Sequence, residues 1–355
     1  MKNEHLENLV VGEEHWTKKG DVDLFMWNKF LPSDKTKNGT ILFVHGSSMA
    51  SQPTFDLEVK GRPFSSAMNY FAALGYDTWC VDMEGYGRSS KHRDITCDID
   101  NGADDLAAAT AYIKQYSGCT GIHLYGISSG ALRAAVFTKQ YPERVGRLAL
   151  DAFVWTGEGS PTLIERRKKL PEFSKSKRRP INYAFVQSIF NRDHPDCVEP
   201  KVIDAFAQAI CSLDDSMPNG TYIDMCSRLP LVNPEDIIVP TVILRGQYDG
   251  IASVSDLLSF FEKLPHQDKQ FTVMEGISHA SFQQKNYEQL ARLEGQQVTV
   301  LGVLFSPLGV ERHKRQAILI EQINPVLEKG AKPTPGQSAP KLPQKSSKNK
   351  KSKLK

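Results

Sequence analysis

The run Gly126-Ile127-Ser128-Ser129-Gly130 constrains this chain more than any other stretch of it. It follows directly on the apolar GIHLY at 121–125 and leads directly into the helix-like ALRAAVFTK at 131–139. A strand that becomes a helix within so few residues brings two backbones together, so the positions two before and two after the central serine must be small. The serine hydroxyl then projects above the sheet at a helix N-terminus, which favours developing negative charge. A glycine-flanked serine alone is a common turn; between strand and helix it reads as a nucleophile. Ser129 is a rival, but only Ser128 has glycines at both flanking positions.

The rest of the chain repeats the same alternation. Short β-branched or aromatic runs at 40–44, 78–81, 121–125, 147–150, 241–244 and 270–274 are separated by helical stretches such as 63–74 and 104–116. That pattern predicts α/β architecture, a mostly parallel central sheet flanked by helices. Residues 22–27 alternate weakly and suit an antiparallel edge. The alternation breaks between about 154 and 234, where prolines, helical patches and a basic stretch replace strands. A structureless loop of that length is improbable in a compact domain, so the segment is expected to be an inserted helical cap over the active edge. The expected organisation is a first core part at 1–153, the cap at 154–235, a second core part at 236–329 and a disordered lysine-rich tail at 330–355.

A serine nucleophile needs a base, and the base needs an acid to hold its tautomer. Of the nine histidines, His279 comes immediately after the last strand-like run, where a loop can carry it over Ser128. His266 precedes that run, His194 falls in the cap and His313 lies beyond the expected position. Asp249, just past TVIL at 241–244, is the expected acid, and Asp151, ending LALD one strand earlier, is the alternative. After ILFV, the sequence His45-Gly46-Ser47-Ser48 lets the backbone bend, so that the Ser47 amide can join the Ser129 amide as an oxyanion hole. His45 itself reads as a structural hydrogen-bonding residue.

A third glycine-containing turn, Asp82-Met83-Glu84-Gly85-Tyr86-Gly87-Arg88-Ser89, follows TWCV. With HG after one strand, DxxGxGxS after the next and GxSxG after the third, the chain resembles the α/β-hydrolase superfamily over about residues 20–285, and within it cap-bearing esterases and lysophospholipases. The resemblance implies a triad of Ser128, Asp249 and His279, and activities that span esterases, lipases, thioesterases, carbon–carbon hydrolases and acyltransferases. It departs from the family in lacking HGGG, and in carrying GQQVTVLGVLF and a second helix-like stretch, HKRQAILIEQINPVL, after His279.

Composition narrows what remains. The net charge of +3 conceals a tail with eight lysines and no acid at 330–355, which leaves the body at −5. The tail lacks aromatics, and no specific nucleic-acid partner is expected from it. Eight positive charges in fourteen residues at 166–179 read either as a solvated face or as a steering patch for an anion. No apolar run is long enough to span a bilayer, no leader is recognisable, and the dispersed cysteines read as reduced thiols, so a cytoplasmic protein is expected. No phosphate loop, dinucleotide fingerprint or metal constellation is present in the sequence, so neither cofactor nor metal is expected; oligomeric state is left open. The expected partner is a small, partly apolar acyl substrate, with Phe153 and Trp155 at the start of the cap lining its pocket. The leading activity is hydrolysis of a carboxylic ester, or of an amide or thioester, through an acyl-enzyme on Ser128. Hydrolysis of a carbon–carbon bond next to a ketone, and a non-catalytic ligand receptor or scaffold, are the rivals.

Overall fold

The computed structural model describes residues 8–33, 38–63, 65–287, 298–305 and 317–325. Its core is an eight-stranded sheet in the order β1-β2-β4-β3-β5-β6-β9-β10. The strands are β1 (Val11–Lys19), β2 (Val22–Phe30), β3 (Thr40–Val44), β4 (Asp77–Val81), β5 (Ile122–Ile127), β6 (Val145–Asp151), β9 (Thr241–Gly246) and β10 (Lys269–Met274). From β4 to β10 every pairing is parallel, while β1 and β2 add an antiparallel hairpin at one end.

Alternation along the central strands builds the core. Leu42, Val44, Trp79, Val81, Leu124, Leu148 and Leu150 belong to the larger cluster, whereas Ile41, Phe43, Cys80, Tyr125 and Ile127 belong to a second one. Successive side chains point to opposite faces of a strand, so a sheet covered on both sides needs apolar residues at nearly every position. β3 and β4 are accordingly buried throughout. Helices α1 (Ser51–Phe55), α2 (Ala67–Ala73), α3 (Ile99–Ser117), α4 (Ser129–Gln140) and α10 (Val254–Lys263) lie in the connections between these strands. Asp98 caps α3 by accepting from the Asn101 amide, and Gly118 ends it in the left-handed conformation with φ 70°.

Between β6 and β9 the chain forms α5 (Pro161–Lys168), α6 (Leu170–Ser174), α7 (Tyr183–Asn191), α8 (Pro200–Leu213) and α9 (Gly220–Ser227), with two three-residue strands, β7 (Arg178–Pro180) and β8 (Ser216–Pro218), paired antiparallel. The segment is largely helical.

Two expectations need correction. The edge is not formed by 22–27: β2 sits second, paired on both sides, and β1 is the outer strand. β1 escapes a hydropathy reading because its outward face is solvated and only His15 is buried. The helix expected over 313–327 is instead strand β12 (Ala317–Pro325), antiparallel to β11 (Val298–Phe305). Three isoleucines in AILIEQINP favour the extended form. The tail at 330–355 lies outside the described residues. All six cysteines are free thiols, and no helix among the described residues is long and apolar enough to cross a membrane.

Candidate active site

Ser128 stands between β5 and α4 with φ 58° and ψ −124°, a conformation few side-chain-bearing residues adopt. Its two glycine neighbours are required by contact. A Cβ on Gly126 would lie 2.5 Å from the Gly130 carbonyl oxygen, and one on Gly130 would overlap the Val44 carbonyl oxygen. The turn is anchored from below by the Ser128 amide, which donates to the Asp151 carbonyl at 2.8 Å.

The hydroxyl meets a histidine carried from the far end of the chain. His279 Nε2 lies 3.0 Å from Ser128 Oγ, and its Nδ1 lies 2.9 Å from Asp249 Oδ1. An ionised carboxylate only accepts, so Nδ1 carries the ring proton and Nε2 is left to accept from the serine. Burial alone would raise the Asp249 carboxyl, but the imidazole beside it and the Ile251 amide at 2.9 Å outweigh that and hold it below its ordinary value. All three residues are buried, with Ser128 only 6% exposed.

The turn after β3 closes over the same point. His45 is deeply buried, its Nε2 accepts from the Met83 amide at 3.0 Å, and burial with the nearby Arg133 guanidinium pushes it down to about 3, so it stays neutral. It is a structural residue, as expected. Gly46 passes so close that a Cβ there would be 3.3 Å from Ser128 Cβ. Ser47 Oγ donates to Ser129 Oγ at 2.7 Å, which ties the two turns together. Ser129 is the first residue of α4, so its amide has no acceptor within the helix. The turn after β4 holds this arrangement up: Asp82 accepts from the Ser51 and Arg88 amides, and Tyr86 donates to the Ser47 carbonyl at 3.2 Å.

Asp151 is brought to a different task. Its carboxylate accepts from Tyr125 at 2.8 Å and from Ser281 at 2.9 Å, two residues from His279 in sequence but without contact to the ring. Burial pushes its carboxyl up to about 6, with the two hydroxyls opposing that in part. The folded protein holds this proton more tightly than the unfolded chain does, so the group's stabilisation is complete below about pH 4 and lost as pH rises through about 6, roughly 3 kcal/mol in all. Urea unfolding of Asp151→Asn and its parent between pH 4 and 7 should therefore show the parent losing about 3 kcal/mol relative to the variant; a constant difference would contradict a raised Asp151.

Phe153 and Trp155 do not meet the expectation of a pocket lining. Phe153 packs on Phe260 of α10 with centroids 4.9 Å apart, and Trp155 packs on the same ring while its Nε1 donates to the Val232 carbonyl at 3.1 Å. Both follow β6 so closely that the chain has not yet left the core. The residues that border the site from the inserted segment are polar. Arg179 donates to the Ser47 carbonyl and to Ser48 Oγ, both at 2.8 Å, and Tyr222 Oη lies 3.2 Å from Ser48 Oγ. Arg192 grips Asp193 through two nitrogens at 3.0 and 2.8 Å. Sequence reasoning missed Arg192, Asp193 and Tyr222, for no motif marks them; the basic run at 166–179 was the one signal pointing this way.

Asp193, Asp249 and His279 offer three possible ligand atoms within 4.8 Å of one another. Both ring nitrogens of His279 already contact Ser128 and Asp249, so a metal ion there would have to break the hydrogen-bond chain.

The sequence model of the family described as serine aminopeptidase, S33, matches residues 36–286. A 2-hydroxy-6-oxononadienedioate/2-hydroxy-6-oxononatrienedioate hydrolase from Burkholderia vietnamiensis (strain G4 / LMG 22486) is 31% identical over 127 residues, which are 36% of this chain and 39% of that protein. The aligned part is thus well under half of this curated relative. Among solved structures, E-2-(acetamidomethylene)succinate hydrolase superposes with a TM-score of 0.58 at 18% identity, covering 80% of this chain and 98% of that one. A thermophilic esterase from Thermogutta terrifontis does so with a TM-score of 0.54 at 20% identity, covering 79% and 95%. At these identities both show the fold alone.

Proposed function

The chain belongs to the serine aminopeptidase S33 family of α/β-hydrolases, and from that membership we propose that it is a serine hydrolase that cleaves a carboxylic ester through an acyl-enzyme on Ser128. One observation carries the reading: Ser128, His279 and Asp249 form an unbroken hydrogen-bond chain at a glycine-flanked turn of positive φ. In this reading Ser128 Oγ attacks the ester carbonyl while His279 Nε2 takes its proton. Asp249 fixes the tautomer and stabilises the imidazolium without becoming protonated itself. The Ser47 and Ser129 amides receive the oxyanion, each such donor being worth about 3 kcal/mol. His279 returns the proton to the departing alcohol, and water attacks the acyl-enzyme by the same route in reverse.

A second reading, hydrolysis of a carbon–carbon bond next to a ketone, is favoured by the aligned 127 residues of the oxononadienedioate hydrolase. One set of measurements separates them. A fluorophosphonate should label the protein at Ser128, and p-nitrophenyl esters of graded acyl length should be turned over. Labelling with no ester turnover, together with cleavage of a 2-hydroxy-6-oxo-dienoate, would favour the carbon–carbon reading. An unlabelled protein would be a receptor or scaffold on a hydrolase fold.

A further inference from the structure

The inserted segment places two positive charges beside the catalytic turn and gives them no carboxylate. Arg166 and Arg179 both lie over the ring of Tyr222, their guanidinium carbons 4.2 and 3.9 Å from its centroid. Arg179 is buried, and its partners are all neutral: the Pro218 and Ser47 carbonyls, Asn219 Oδ1 and Ser48 Oγ. The side chain of the half-buried Arg166 has no hydrogen bond or ion pair among the described residues, and its buried Nη1 nitrogen is without a partner. Burial accordingly pulls the Arg166 guanidinium down from its ordinary value. Buried charges are almost always paired, because an unpaired one forfeits its hydration without recompense.

The neighbouring charges sharpen the picture. A cavity of about 410 Å³ opens along Arg166, Lys169, Arg192 and Gly250, the residue after Asp249. That volume is within the usual range for a small-molecule site. Its two acids are already committed: Glu165 to Lys168 at 2.6 Å and Asp193 to Arg192 at 2.8 Å. The excess is positive; the cavity reaches Gly250, next in sequence to Asp249, and outside its lining Arg179 donates to the Ser47 carbonyl. Tyr222 reflects the same imbalance: burial would raise its phenol, but Arg166 and Arg179 draw it down to about 7.

We propose that Arg166, supported by Arg179 and Tyr222, recognises a carboxylate on the substrate, so that the favoured substrate is an ester whose acyl chain ends in an acid. This rests on the ester-hydrolase reading of the same site. An anion there would supply the acceptor that Arg166 Nη1 lacks, and a charge-assisted hydrogen bond of this kind is about twice as strong as a neutral one. Of the basic run at 166–179, only Arg166 and Arg179 turn onto Tyr222; Lys168 is paired at the surface.

The test compares mono-p-nitrophenyl glutarate with p-nitrophenyl valerate, which differ only in a carboxylate replacing a terminal methyl. In the parent, kcat/KM should favour the glutarate. Arg166→Gln should lower the glutarate-to-valerate ratio by about tenfold to a hundredfold, the loss expected for one charged hydrogen bond, whereas Lys168→Gln should leave the ratio unchanged. No preference in the parent, an equal fall for both esters in Arg166→Gln, or an equal effect of Lys168→Gln would overturn the proposal. If the parent turns over neither ester, the ester reading has failed, and glutarate binding by calorimetry decides the anion site alone. Binding to the parent that is lost in Arg166→Gln supports it, and absence of binding to the parent overturns it.

Discussion

Ser128→Ala should remove essentially all turnover of any substrate this site accepts, a fall of about a million-fold in kcat where the nucleophile, base and acid act as one unit. The folded structure should survive. Alanine carries the same Cβ at the same positive φ, and the backbone bonds of the turn, Ser128 amide to Asp151 carbonyl and Ala131 amide to Ser128 carbonyl, need no hydroxyl. Thermal unfolding should stay within a few degrees, about the shift that 1 kcal/mol produces. Ser129→Ala gives the contrast. It loses only the 2.7 Å contact from Ser47 Oγ and keeps the backbone amide, so it should retain substantial activity. An exchange of the two phenotypes would move the nucleophile to Ser129. Loss of fluorophosphonate labelling in Ser128→Ala, with labelling kept in Ser129→Ala, makes the same distinction without a substrate.

What could be read from the sequence was the part enforced by backbone geometry. Strands buried on both faces must be apolar at nearly every position, so β3, β4 and β5 announce themselves, and the glycines at 126 and 130 are dictated by carbonyl oxygens they cannot avoid. β1 was illegible for the opposite reason. Its buried side is thin and its exposed side carries Glu14, Trp16 and Lys18, so nothing alternates cleanly. The polar roof of the site was hidden for a third reason. A run of arginines and lysines normally marks a solvated face, and only the three-dimensional path of α5 and β7 turns Arg166 and Arg179 inward over Tyr222 while leaving Lys168 outside. Likewise the aromatic residues Phe153 and Trp155 looked like a substrate pocket, yet Phe260 from a helix a hundred residues later claims both.

The choice of acid was undecidable by spacing, because β6 and β9 are neighbouring parallel strands in register, with Asp151 paired to Leu244, and either strand end can reach one histidine. Geometry distinguishes them. Asp249 Oδ1 receives His279 Nδ1, whereas Asp151 is occupied by Tyr125 and Ser281. Asp249→Asn keeps the volume but can present an amide N–H to the ring, which reverses the tautomer and leaves Nε2 protonated. A histidine so turned cannot accept from Ser128, and the comparable change in a serine triad lowers turnover by about four orders of magnitude. We therefore expect Asp249→Asn to fall about 10⁴-fold in kcat, with KM little changed because the loss occurs at the chemical step. Asp151→Asn should stay within about tenfold of the parent. The measurement is kcat and KM for both variants on one ester. A parent-like Asp249→Asn beside an inactive Asp151→Asn would transfer the role of the acid to β6 and leave Ser128 and His279 in place.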